Sequence, residues 1–344
     1  MDKPTTIAVD LANSVFEIAV SKQPGRVCQR RRVSRRQMAS FFSAHPASTV
    51  LMEACGSAHY WGRLLESQGH QVRLLPPHHV RRYRLGNKTD RADADALLEA
   101  GRNEQIIAVP VKTVGQQSLI ALHNLRSGWI STRTARLNTL RGLLRELGIV
   151  IPKGPRHVLP SVAEALSCEE VAPTLHTVVL ACCEEIRQLE KNIRQVEGQL
   201  SVAAKQMGAA QSLLSVPGIG LLTATAMLGF VGSPCRFRSG RRYASFLGLV
   251  PKEFSSGNIR RLGAISKRGD GYLRTLLIHG ARAVLVAAKR SKNPDRLRRW
   301  ALQVEKRRGH NRTAVALANK LARIAWAVWS RDTQYVPAYL SPCS

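Results

Sequence analysis

The sequence predicts an α/β N-terminal region followed by an all-α remainder. Two observations carry that prediction. Short β-rich runs alternate with helical spacings over the first hundred residues, and apolar residues then recur at helical intervals. The pattern divides into an α/β domain over 1–112, a helical coiled-coil region over 113–210 and a mostly helical domain over 211–344.

Thr6–Leu11 and Val15–Val20 are β-rich and flank Asn13-Ser14, which is turn chemistry, so they read as a hairpin. Arg30–Arg36 is a basic cluster in or beside a further strand. Thr49–Ala54 reads as a short buried strand carrying Glu53 at its end. Trp61, Leu64 and Leu65 have helical spacing, and Gln71–Leu75 is a strand stopped by Pro76-Pro77. Thr89 is placed as the N-cap of a helix through Asp93, Leu97 and Leu98. From Val114 to Leu147 the spacing is helical and ends at Gly148 and Pro152. Leu175, Val179, Cys182, Ile186, Leu189, Ile193, Val196 and Leu200 then alternate steps of 4 and 3, a coiled-coil seam. That seam suits either an antiparallel pair with the 114–147 helix or a contact between copies of the chain.

The 344 residues carry 52 Lys+Arg against 23 Asp+Glu, a net charge of +29. The excess is localised: residues 151–210 are nearly neutral at −1, whereas 211–344 hold +19. Such a surface implies a polyanionic partner, nucleic acid above all. Seven cysteines form no CxxC pair, which argues against a disulfide framework or structural zinc and fits a reducing cytoplasm. The N-terminus does not read as a secretory signal, and no apolar run approaches a membrane span.

Four carboxylates stand against the basic trend. Asp10 sits in an apolar strand, where a bare carboxylate is costly unless paired or metal-bound. Glu53 ends a second such strand. Asp90 and Asp93 share one helical face, from which Asp95 points away. Hard oxygen donors of this kind suit Mg²⁺ or Mn²⁺ and phosphodiester chemistry. Their order along the chain is RNase H-like.

Two further segments lie in the basic region. Ser215–Ala224 contains Gly218 and Gly220 and resembles the hairpin of helix-hairpin-helix motifs, whose backbone N–H groups grip a phosphate. Ser255-Ser256-Gly257 is a loop with Arg260, Arg261, Lys267 and Arg268 close by, so a serine hydroxyl has cations at hand for a phosphoryl group. Arg298, Arg299, Arg307 and Arg308 mark basic helical faces suited to phosphate contact.

In combination these segments resemble the DEDD-type transposases of bacterial insertion sequences, the group that includes Piv-like invertases and bridge-RNA-guided recombinases. The likeness spans nearly the whole chain. IAVDLA surrounds Asp10, LMEACG surrounds Glu53, and KTDRADADAL surrounds Asp90 and Asp93. SVPGIGLLTATAML, YASFLGLVPKEFSSG and SKRGDGYLRTLLIHGARA follow in the last third. The resemblance implies a RuvC-like N-terminal domain and a metal site on Asp10, Glu53, Asp90 and Asp93. It also implies a C-terminal transposase domain whose serine bonds covalently to DNA. That role is carried to Ser256, with Ser255 as the alternative. Gly257-Asn258 stands where the family often has two glycines, which leaves the choice open. DNA, a structured noncoding guide RNA and a homo-oligomer, dimer or tetramer, are the implied partners. Two other readings remain: a RuvC-like nuclease that hydrolyses branched DNA, and a non-catalytic nucleic-acid scaffold.

Overall fold

The computed structural model describes residues 5–87 and 89–337, which divide between Gln117 and Ser118 into two compact units. The first unit is built on a five-stranded sheet. Its strands are β1 (Thr6–Asp10), β2 (Val15–Ser21), β3 (Gln29–Ser34), β4 (Thr49–Glu53) and β5 (Gln71–Leu75). The order is β3-β2-β1-β4-β5, with β1, β4 and β5 parallel and the β1–β2–β3 meander antiparallel. Short helices α1 (Met38–Ser43) and α2 (Ala58–Ser67) connect β3 to β4 and β4 to β5, α3 (Pro77–Val80) follows β5, and α4 (Asp90–Arg102) covers the opposite face.

The two-residue period of the strands sorts the sheet's faces. Ile7, Val9, Val50 and Met52 pack with Met38, Phe42, Trp61 and Leu65 of α1 and α2. Ala8, Ala19 and Leu51 pack with Ala94, Leu97 and Ala100 of α4. The small Ala8 and Ala19 allow that helix to lie close. β3 is an edge strand carrying Arg30, Arg31 and Arg32, charges that discourage pairing with another chain.

The second unit is helical apart from one hairpin. Helix α5 (Val114–Glu146) runs into it, followed by α6 (Val158–Ser167), α7 (Pro173–Lys205), α8 (Gly208–Leu214) and α9 (Leu221–Ala226). Helix α10 (Gly240–Phe246) precedes the hairpin of β6 (Pro251–Glu253) and β7 (Leu262–Ile265). Helices α11 (Gly271–Arg290), α12 (Arg296–Arg308) and α13 (His310–Arg331) follow. The core gathers Leu273, Leu277, Ala281 and Leu285 of α11 against Leu317, Ala318, Leu321 and Ala325 of α13. Asp270 and Asp295 cap α11 and α12 by accepting from the backbone N–H of Leu273 and Arg298 at 2.7 and 2.8 Å. Among the described residues, no helix is long and apolar enough to cross a membrane.

The heptad seam is satisfied within the chain. Leu137, Leu140 and Leu144 of α5 share a buried cluster with Val179, Cys183 and Ile186 of α7. Arg126–Glu197, Arg133–Glu190 and Arg136–Glu185 pairs at 2.7, 3.8 and 2.6 Å run in opposite chain directions, so the two helices are antiparallel. One expected seam residue shifts. Cys183 is buried at 3 % exposure while Cys182 is only partly covered, because a straight helix drifts from a strict seven-residue repeat.

Turn Ser215–Gly220 joins α8 to α9 and packs on α11 through glycine. Gly218 has φ +80°, and a Cβ built on Gly280 would lie 1.9 Å from the Gly218 carbonyl oxygen. Gly280→Ala therefore forces two core segments apart. It is expected to cost about 2–4 kcal/mol in thermal or urea unfolding. Gly198→Ala, on the exposed side of α7 with open space around it, is expected to stabilise by up to ~1 kcal/mol.

His123 is fully buried. The Thr225 hydroxyl donates to the Leu221 carbonyl at 2.7 Å, so its oxygen accepts from His123 Nε2–H at 3.0 Å. His123 Nδ1 then accepts from the Tyr272 hydroxyl at 3.0 Å. This is a neutral ring, and burial followed by the nearby Arg126 lowers its pKa from 6.5 to about 4. An unfolded histidine takes up a proton near pH 6.5, whereas this one resists until about pH 4. The stability it contributes is therefore present above pH 6.5 and lost as pH falls through that window. The loss expected in denaturant melts across it is on the order of 3 kcal/mol.

Candidate active site

Asp10 is the last residue of β1 and lies on the same face as Ala8, the face that α4 covers. Glu53 ends the neighbouring parallel strand β4 on that same face, beside Asp10, since Val9 pairs with Met52. The helix opposite begins at Asp90, because Thr89 caps it by accepting from the Ala92 N–H at 3.2 Å. Asp90 and Asp93 thus occupy its first turn, where the helix dipole favours negative charge. Two strand ends and one helix start bring the four carboxylates into one electrostatic neighbourhood.

That neighbourhood shows in the protonation of Asp10. Its pKa rises from 3.8 to about 6, through burial first and then the charges of Asp93, Asp90, Glu53 and Glu17. Asp95 stands apart and is held by Arg30 at 2.7 and 2.9 Å, in keeping with the helical spacing. Arg84, which the sequence did not single out, donates to Asp93 at 3.0 Å and supplies one positive charge to the group.

Oxygen donors crowded at the expense of Asp10 ionisation are the chemistry a hard divalent cation relieves, so the residues fit one in kind. In this conformation, no three His, Cys, Asp or Glu side chains among the described residues converge closely enough to hold an ion ready-made.

The serine loop belongs to the second unit and caps the β6–β7 hairpin, which sequence reading took for a plain loop. Glu253 and Leu262 pair, Phe254 N–H donates to the Arg261 carbonyl at 2.9 Å, and Ser256 and Ile259 exchange backbone hydrogen bonds. Gly257, with φ +55°, makes the turn at the tip. The two serines differ. Ser255 Oγ donates to Glu253 at 2.8 Å and accepts from Arg261 N–H at 3.2 Å, so it ties the hairpin together. Ser256 is exposed, and its hydroxyl bonds to none of the described residues. Phe254 at 66 % and Ile259 at 60 % exposure flank it. Glu253 also holds Arg260 at 3.4 Å.

Of the other expected contacts, Gly218 is packed on Gly280 and Gly220 is exposed at the start of α9. Lys267 lies at the base of the hairpin, where its N–H donates to the Gly248 carbonyl at 3.1 Å, and Arg268 follows it. Arg298 is turned onto Asp295 at 3.3 Å, whereas Arg299, Arg307 and Arg308 are exposed along α12.

Comparison with known proteins sets these elements in context. A DEDD-type IS110 transposase profile matches residues 7–149, and the transposase IS116/IS110/IS902 family profile matches residues 210–296. A Pseudomonas aeruginosa protein described as "Probable family 20 transposase" is 42% identical over 335 residues, covering 96% of this chain and 98% of its own. The transposase of insertion sequence element IS1111A from Coxiella burnetii is 38% identical, covering 96% and 90%. The pilin gene-inverting protein of Moraxella bovis is 24% identical over 340 residues, covering 94% and 95%. The chain is thus similar along nearly its whole length to transposases, enzymes that cut and rejoin DNA. Within that class it belongs to the IS110 family of DEDD transposases.

Proposed function

We propose that this transposase moves an insertion sequence by serine-mediated strand exchange, with Asp10, Glu53, Asp90 and Asp93 holding Mg²⁺ or Mn²⁺. The observation that carries the serine half is the difference between Ser255, engaged on both sides, and Ser256, whose exposed hydroxyl is unbonded. The observation that supports the carboxylate half is the raised pKa of Asp10 among three other carboxylates.

In this reading Ser256 Oγ attacks a DNA phosphorus, the P–O3′ bond breaks, and the serine proton leaves while the 3′-oxygen gains one. The 5′-phosphate stays on Ser256 as a phosphodiester, so religation by a 3′-hydroxyl needs no outside energy. A bound divalent ion would supply positive charge to attacking and leaving oxygens. Arg261, Lys267 and Arg268 lie along the serine hairpin and would balance phosphoryl charge. Segments 1–112, 113–210 and 211–344 then serve as the RuvC-like carboxylate domain, the helical spacer and the serine domain. The turn at Gly218 and Gly220 would act in helix-hairpin-helix fashion on a phosphate backbone. The protein would act in the cytoplasm, as a dimer or tetramer, with an element-encoded noncoding RNA choosing the DNA.

The test is strand exchange by purified protein on element-end and target DNA, with and without that RNA, in Mg²⁺ and in EDTA. Joined products that require both RNA and Mg²⁺ support the reading. Simple hydrolysis products, with free ends and no joining, would favour a nuclease instead.

A further inference from the structure

A groove of about 2310 Å³ opens in the second unit, beside the stem of the serine hairpin. Pro251 of β6 and Leu262 to Ile265 of β7 form part of its wall, and residues of α12 and α13 form another part. Arg241, Arg296, Arg308, Arg312, Lys320 and Arg323 line it, and among the described residues no Asp or Glu does. None of these six forms an ion pair with a described carboxylate. Two neighbouring cations are neutralised, Arg298 by Asp295 and Lys289 by Glu305. The groove is therefore a concentration of unneutralised positive charge in a concave setting, where low-dielectric walls strengthen the field.

Its middle is chemically distinct. Lys320 Nζ sits 4.2 Å from the centroid of the Trp300 ring, a cation–π contact. Burial, then Arg296 and Arg323, push the lysine's pKa down. The cations Arg296, Lys320 and Arg323 repel one another until an anion enters between them, and the Trp300 face steadies only the lysine.

We propose that this groove binds a single DNA strand through its phosphodiester backbone, with Arg296, Lys320 and Arg323 on successive phosphates and Trp300 supporting the lysine from beneath. A row of cations with an aromatic side chain among them is the combination that holds single strands without reading sequence. The choice of DNA over RNA rests on the proposed serine chemistry. The groove wall is the stem of the hairpin that carries Ser256, so the strand in the groove is the one offered to that serine. Arg296, Trp300 and Arg308 belong to basic helical runs that the sequence marks, whereas Arg312, Lys320 and Arg323 are isolated basic residues on α13 that only the fold collects beside them.

The experiment measures binding of the full-length protein to labelled single-stranded DNA, duplex DNA and single-stranded RNA of arbitrary sequence, by fluorescence anisotropy over a salt series. Lys320→Gln with Arg323→Gln is expected to weaken single-stranded DNA binding at least about tenfold and to flatten the salt slope by about 0.7 per lost phosphate contact. Arg187→Gln with Arg194→Gln, on the exposed side of α7, removes the same net charge and is expected to leave both unchanged. Circular dichroism melts of each double variant confirm that the fold persists. Trp300→Leu, which removes the support but no charge, is expected to weaken binding less and to keep the salt slope. Equal losses in the groove and α7 variants would overturn the proposal, as would loss confined to RNA or to duplex DNA. The readout is binding alone, so a failure of the Ser256 chemistry would leave it untouched, and the two failures are distinguishable.

Discussion

Asp10→Asn is expected to lower strand exchange by about a thousandfold, equivalent to ~4 kcal/mol, while Asp95→Asn leaves it within about twofold. Asp95 lies only two positions after Asp93 on α4, yet its surroundings differ from those of Asp10. Asp10 lies at a buried strand end among Glu53, Asp90 and Asp93, whereas Asp95 is turned onto Arg30. A second, independent effect is expected from the same substitution. With its pKa at about 6, Asp10 is ionised at pH 7 against its neighbours' charges, so it opposes folding there. Asn removes that charge. The metal-free Asp10→Asn protein should therefore melt higher than wild type at pH 7, by up to ~2 kcal/mol, and the gap should close as pH falls below 4. Added Mg²⁺ should stabilise the wild type and not the variant. A variant that melts lower than wild type at pH 7 would contradict the like-charge account.

Ser256→Ala is expected to abolish exchange, on the order of 10⁴-fold or more, because the neighbouring Ser255 hydroxyl is held by Glu253 and the Arg261 N–H. Ser255→Ala is expected to cost far less, roughly tenfold, since Ser255 braces the hairpin by bridging Glu253 and the Arg261 N–H rather than standing free. A stem of two short exposed strands is marginal on its own, so losing one brace loosens the loop without removing its chemistry. The assay is in vitro joining of element ends by each variant. The reverse ranking would move the nucleophile to Ser255, with Glu253 as its base.

Elements whose pattern is local were legible in the sequence. Asn13-Ser14 between two β-rich runs, Thr89 before an acidic first turn and, apart from the shift from Cys182 to Cys183, the heptad-like series on α7 lie where spacing placed them. Alternation along β1 puts Asp10 on the face of Ala8, and the structure shows that α4 covers that face. What stayed hidden depends on tertiary neighbours. The β6–β7 hairpin has no buried alternation, since almost all of its residues are exposed, so no period marked it as a sheet. Arg84 sits in a basic run, and nothing local distinguishes it from Arg81 or Arg82 as the partner of Asp93. Gly280 looked like an ordinary helical glycine until the turn at Gly218 was seen to press against it.

The account rests on Ser256 as the group that bonds to DNA. The most direct measurement is peptide mapping of the covalent protein–DNA adduct, trapped on a nicked suicide substrate in Mg²⁺ and digested to leave a nucleotide remnant on the peptide. The account predicts the remnant on Ser256, present in wild type and Ser255→Ala, and absent from Ser256→Ala and from wild type in EDTA. Efficient joining with no adduct on either serine, or a remnant on any other residue, would contradict it.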